Sequence, residues 1–161
     1  MTNRTIGYIV GSLSSTSINR RLAKSLERLA PEGTTLVEIP IADLPFYSPD
    51  HDGAFPQAAR EFKSALAEVD GVIIVTPEYS RSIPGVLKNA LDWSVRPYGQ
   101  GSFNGKPTAA IGTSGGPVQH RSQYAFELEG RFLGGLHVRV ERREQRERHD
   151  KCGAEGLTLH G

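Results

Sequence analysis

Val72-Ile73-Ile74-Val75, then Thr76-Pro77-Glu78-Tyr79-Ser80-Arg81-Ser82-Ile83-Pro84-Gly85 and the run Val86 to Trp93, decides how this chain is arranged. Four β-branched residues in succession suit a strand buried on both faces, as in the interior of a parallel sheet. Pro77 has no N–H to give the ladder, so the residues after it leave the sheet as a loop at the strand's carboxyl end. Pro84 suits the first turn of a helix, and Ser82 offers a hydroxyl to cap it. Ile83, Leu87, Ala90 and Leu91 then keep helical spacing. The segment reads strand, polar loop, helix. In an open parallel sheet, such a loop is where ligands bind.

The same unit recurs upstream. Thr5 to Val10 is a short apolar strand, and Gly11-Ser12-Leu13-Ser14-Ser15-Thr16-Ser17-Ile18-Asn19 follows it. Ile18, Leu22, Leu26 and Leu29 share one helical face, and Pro31 and Gly33 stop the helix. The loop thus brings the hydroxyls of Ser12, Ser14, Ser15, Thr16 and Ser17 and the Asn19 amide to a helix amino terminus, where backbone N–H groups and the helix dipole favour an anion. Without G-x-G-x-x-G or Gly-Lys-Ser/Thr, it is neither a dinucleotide fingerprint nor a P-loop. Two readings stand side by side: a phosphate cradle, or a serine-rich turn that caps a helix.

Thr34 to Pro40 reads as a second strand, and Ile41 to Asp50 as a loop holding Phe46 and Tyr47. Those two aromatic residues either pack under the loop or meet a ligand, and His51 reads as solvated. Phe55, Ala59, Phe62, Leu66 and Val69 form a clean helical stripe with Pro56 in its first turn and Asp52 as a cap. Lys106 to Gly112 is a fourth strand, followed by Thr113-Ser114-Gly115-Gly116-Pro117, which is either a plain turn or a place where backbone approaches a flat ligand. A helix over residues 118–132 and a fifth strand from Leu136 to Val140 complete the pattern. His120 and His137 read as surface or satisfied histidines.

At 161 residues the chain predicts one domain, residues 1–140, followed by a charged tail, residues 141–161. A net charge of +1 leaves no electrostatic footprint for nucleic acid or an anionic membrane. One cysteine excludes an intrachain disulfide. No apolar run approaches the roughly 20 residues that cross a bilayer, and a strand pattern within five residues of the start leaves no room for a signal peptide. The expectation is a cytoplasmic protein with no metal site. Glu141 to Lys151 carries no apolar residue, and only Ala154, Leu157 and Leu159 could pack beyond it.

Pro77-Glu78-Tyr79-Ser80-Arg81-Ser82-Ile83-Pro84-Gly85-Val86-Leu87-Lys88-Asn89-Ala90-Leu91-Asp92-Trp93 resembles the signature of the NADPH-dependent FMN reductase-like family. That family includes flavin, quinone, chromate and azo-dye reductases. Its commonest form has Asn at the position of Ser80, and many members have Arg at the position of Ser14. The resemblance runs from about Ile6 to Val138 and stops at the tail, where relatives continue into a final amphipathic helix.

What the resemblance implies is specific. The fold is an α/β flavodoxin-like, doubly wound, five-stranded parallel sheet of order 2-1-3-4-5, with its last helix in doubt here. Three loops converge where strand order reverses. The cofactor-binding set is Ser12, Ser14, Ser15, Thr16, Ser17, Ile18 and Asn19 from the first loop, matching the family at Gly11, Ser12, Leu13, Ser17 and Asn19. Pro77, Glu78, Tyr79, Ser80 and Arg81 come from the second, and Ser114, Gly115 and Gly116 from the third. Hydride would pass from NADPH, or NADH, through the N5 atom of bound FMN to a quinone, flavin or similar acceptor in a ping-pong cycle. Glu78 is either an acid–base group or a loop carboxylate serving through its backbone, and no side-chain catalytic residue is assigned. Dimers or tetramers are common in the family, and Phe46, Tyr47, Trp93 and Tyr98 are candidates for a shared contact. A flavodoxin-type electron carrier, or a compromised relative with weak flavin binding, are the alternatives. The near-neutral charge argues against the carrier.

Overall fold

The computed structural model describes residues 3–113 and the main chain of 137–138. The deciding strand is β3, Gly71–Val75. It lies between β1, Arg4–Val10, and β4, Thr108–Ile111, while β2, Thr34–Glu38, flanks β1 on the other side. All of these pairings are parallel, with Tyr8 opposite Ile73 and Glu38, and Ile74 opposite Ala110. Beyond β4, the main chain of His137–Val138 pairs in parallel with Ala109–Ala110. The result is an α/β flavodoxin-like fold whose parallel sheet has the order β2-β1-β3-β4.

Parallel neighbours need crossovers, and helices supply them. Helix α1, Ile18–Leu29, joins β1 to β2; α2, Gln57–Ala67, precedes β3; α3, Gly85–Ser94, precedes β4. Side chains alternate along each strand, so the sheet has two apolar faces. On one face Ile9, Val72, Ile74 and Ala110 are buried with Phe62 and Leu66 of α2 and Leu87, Leu91 and Trp93 of α3. On the other, Tyr8, Val10 and Val75 pack with Ala23 of α1, while Leu36, Ile73 and Ile111 stay only half-buried. Among the described residues, the first face is covered better than the second. Among the described residues, no helix is long and apolar enough to cross a membrane.

Several local expectations are corrected. Ser82 does not cap α3; its main chain is committed to Tyr79, and Pro84 occupies the cap position without a side-chain bond. Asp52 does not cap α2, since its carboxylate accepts from the Tyr47 hydroxyl at 3.2 Å and lies 3.6 Å from Arg96. Leu29, expected on the apolar stripe of α1, is 78 % exposed, and the buried residues of that helix are Asn19 and Ala23. His51 is not solvated but half-buried, its ring 5.8 Å from that of Trp93. The expected third loop at Ser114, Gly115 and Gly116, the helix over 118–132 and the tail lie outside the described residues.

Candidate active site

Three chain segments leave the sheet at its carboxyl edge, after β1, β3 and β4. The ladder runs to its limit there: Gly11 N–H donates to Val75 O at 2.9 Å and Thr76 N–H to Ile111 O at 3.0 Å. Thr76, 7 % exposed, fills the space between the outer two segments. A Cβ added at Gly11 would collide with the Thr76 side chain, and one added at Gly112 with the Thr76 carbonyl oxygen. Glycine is therefore required at both strand ends for the segments to come this close. The sequence reading missed Thr76 and this use of Gly11 and Gly112; the only available signal was a glycine at each strand end.

The first loop divides into buried and exposed donors. Ser12 is buried, and its hydroxyl meets the Tyr79 hydroxyl at 3.1 Å and accepts from Ser14 N–H at 3.3 Å. Ser17 caps α1 by accepting from Arg20 N–H at 3.2 Å. Ile18 is half-buried behind it. Ser14, Ser15 and Thr16 stand exposed at the loop tip, with the Ser14 and Thr16 hydroxyls 3.1 Å apart. These outward hydroxyls at the amino end of a 12-residue helix fit a phosphate: neutral donors, aligned peptide dipoles and water access. No cationic side chain stands among residues 12–19. From this loop, an anion would receive hydrogen bonds and the helix terminus but no side-chain charge.

Asn19 does something else. It is 1 % exposed, and its amide faces the main chain of Thr113: Nδ2 donates to Thr113 O at 3.0 Å and Oδ1 accepts from Thr113 N–H at 2.9 Å. The first loop is thus fastened to the segment leaving β4 by Asn19, and to the segment leaving β3 by Ser12 and Tyr79.

After β3, the Thr76 hydroxyl donates to Pro77 O at 3.0 Å, and Pro77 and Glu78 are half-buried. Tyr79 and Ser82 then exchange both main-chain hydrogen bonds, at 2.9 and 3.0 Å, around Ser80 and Arg81. Both central residues have positive φ, 50° and 64°. Two consecutive left-handed residues make a mirror-image tight turn, which Asn and Gly favour and Ser and Arg do not. This strained turn holds the Tyr79 ring over the first loop. It sits at the candidate site, where such strain tends to collect.

A second cluster, also missed as a unit, fixes the loop after β2. Asn89 on α3 accepts from Tyr47 N–H at 2.9 Å and donates to Pro45 O at 2.9 Å, and the buried Trp93 indole donates to Pro45 O at 2.8 Å. Tyr47 and Phe55 meet the Trp93 ring edge-on, at 5.2 and 5.3 Å. Of the four aromatic residues expected at a shared contact, Trp93 is buried and Tyr47 half-buried, while Phe46 and Tyr98 are 85 % and 92 % exposed.

Residues 4–141 match the model of the NADPH-dependent FMN reductase family. A 2-hydroxy-1,4-benzoquinone reductase of Burkholderia is 53 % identical over 113 residues, covering 70 % of this chain and 62 % of that protein. A quinone reductase of Pseudomonas putida is 44 % identical over 114 residues, covering 70 % and 61 %. The chain therefore spans a little over three-fifths of the length of these relatives. Among solved structures, the flavoenzyme NAD(P)H:acceptor oxidoreductase FerB of Paracoccus denitrificans superimposes with a TM-score of 0.76 at 36 % identity, over 89 % of this chain and 77 % of that one. With the strand order, the fastened loops and the outward hydroxyls at the helix terminus, these likenesses show that the chain belongs to the NADPH-dependent FMN reductase family.

Proposed function

We propose that this chain is an FMN-dependent oxidoreductase domain that takes hydride from NADPH or NADH and reduces a quinone or a similar small acceptor. The observation that carries the reading is the junction at the sheet's carboxyl edge, where an anion-fitting helix terminus is tied directly to both neighbouring loops. FMN, when bound, would supply the two-electron chemistry. The chain's part is to bind and orient it. Ser14, Ser15 and Thr16 donate to the phosphate, and the segments beginning at Pro77 and Thr113 receive the ring. Main-chain N–H groups beside Tyr79, whose own N–H is taken by Ser82 O, would donate to negative charge on the reduced ring, as in an oxyanion hole, and the loop 114–116 is assigned the same part. Glu78 serves through its backbone rather than as an acid or base.

The quinone acceptor is supported by the names of the Burkholderia and Pseudomonas relatives. Alternate use of one site by donor and acceptor makes the cycle ping-pong. A five-stranded order 2-1-3-4-5, with residues 136–140 as the last strand, a domain ending near residue 140, a cytoplasmic setting and a homodimer or homotetramer belong to the same reading. The test is reconstitution with FMN or FAD, followed by anaerobic NADPH. Expected are FMN binding, bleaching of the flavin absorbance, recovery on adding a quinone, and parallel initial-rate lines. FAD binding without FMN binding rejects the cofactor assignment. A flavin that stays oxidised under NADPH, yet accepts electrons from a reductase, makes the chain a carrier.

A further inference from the structure

The first turn of α1 spends a buried side chain on the main chain of a residue 94 positions away. After Thr76 N–H closes the last ladder bond to Ile111 O, the chain passes Gly112 against the Thr76 carbonyl and reaches Thr113. There Asn19 takes both main-chain groups of Thr113, imitating the two-bond exchange of paired strands. Only an Asn-like amide can donate and accept side by side at this reach. At 1 % exposure, it offers no open face to a ligand.

We propose that Asn19 is a positioning residue for flavin and not a phosphate ligand: its clasp on Thr113 sets where the ring-receiving segment begins relative to the phosphate cradle. This rests on the FMN reading. The Ser12–Tyr79 hydroxyl contact at 3.1 Å plays the matching part toward the segment after β3. Together the two fastenings make the first loop the common anchor of the site. Ordering the segment at Thr113 is then already done before ligand arrives, and preorganised sites bind more tightly for that reason. Losing the clasp makes any flavin bear the ordering cost, with or without a phosphate. Losing a phosphate donor, by contrast, harms FMN and spares riboflavin.

That difference is the test. The full chain and its Asn19→Ala variant are titrated with FMN and with riboflavin by flavin fluorescence, and amide hydrogen exchange is followed in the flavin-free proteins. Asn19→Ser stands in if the alanine variant does not fold. Expected is faster exchange at Thr113 with the amides of Ile9 and Ile74 still protected. Both flavins should weaken by the same factor, roughly tenfold for two lost hydrogen bonds. Weaker FMN with unchanged riboflavin overturns the proposal and makes Asn19 a phosphate ligand. Unchanged protection at Thr113, or unchanged affinity for both flavins, also overturns it. A wild-type protein that binds neither flavin rejects the FMN reading itself, and the exchange data would then assign the clasp to folding alone.

Discussion

At the scale of single residues, two positions have consequences that can be measured. Ser80 and Arg81 hold positive φ without being Asn or Gly, a conformation that costs roughly 1–2 kcal/mol per ordinary residue. Asn at position 80 tolerates it better, because its short polar side chain bonds locally. The substitution Ser80→Asn, with Arg81→Gly beside it, is expected to raise stability by about 1–2 kcal/mol in chemical denaturation. An unchanged midpoint would mean that the turn is not strained. The second position is Tyr8, buried beneath α1, whose hydroxyl donates to Glu27 at 2.6 Å and accepts from Lys24 at 2.8 Å. Burial first, and the Glu27 bond second, push its phenol from 10.0 up to about 12. Between these values the folded chain keeps a proton that the unfolded chain releases, so raising the pH favours unfolding. Lys24 is shifted upward too, chiefly by its Glu27 bond, and acts with the same sign. Stability is therefore full below pH 10 and falls toward about pH 12. Tyr8→Phe should flatten that decline in alkaline melting curves.

At the scale of elements, the loops depend on close contact between strand ends and on polar clips from helices. Gly112→Ala places a methyl group against the Thr76 carbonyl, so β3 and β4 must part at their carboxyl ends. Overpacking of this kind costs about 1–3 kcal/mol. The variant should melt lower and bind FMN more weakly, since the Thr113 segment moves with β4. Asn89→Ala leaves Tyr47 N–H without its acceptor and removes a donor from Pro45 O. The expected loss is about 1–3 kcal/mol. Trp93 is the sole tryptophan and shares Pro45 O with Asn89, so its fluorescence should shift to the red as the 44–47 loop loosens. A full loss of stability with unshifted emission would show that the loop is held by ring packing rather than by the amide.

At the scale of the whole molecule, the cover that the described residues give the sheet is uneven. Ile73 and Ile111 stay half-buried on the α1 face, whereas Ile74 and Val72 opposite are closed off by α2 and α3. A half-buried aliphatic side chain forgoes part of the about 1.5–3 kcal/mol that full burial contributes. Bound cofactor offsets such a deficit by mass action: FMN at 100 times its Kd should add about 2.7 kcal/mol, seen as a rise in Tm. A Tm that ignores FMN counts against flavin binding. Exposed Phe46 and Tyr98 add apolar area that self-association would bury. Light scattering is expected to find a dimer or tetramer at micromolar concentration, and a monomer would reject the shared contact. Removing residues 141–161, which begin with eleven charged or polar residues, should leave the Tm within a few degrees. A larger fall would show that the tail packs on the domain.

The order of elements was legible in the chain itself, because periodicity is written locally. Val72–Val75 had to be a buried strand, Phe55 to Val69 an amphipathic helix, and the Pro77 and Gly11 segments loops at strand ends. That alternation implied a parallel α/β sheet, since parallel strands require helical crossovers, while the flavodoxin-like strand order came from the resemblance of the Pro77 to Trp93 signature. Tertiary structure alone decided which polar groups of the loops face outward and which fasten the loops together. Asn19 and Ser12 read in the sequence as polar donors of one loop with Ser14 and Thr16, yet the first two are buried against Thr113 and Tyr79 and the others are exposed. Likewise, nothing local marked Leu29 as exposed or Asn89 as a clip. A hydrogen bond spanning 94 residues depends on where the sheet brings two strand ends, and that distance is set by packing across the whole domain rather than by the residues beside it.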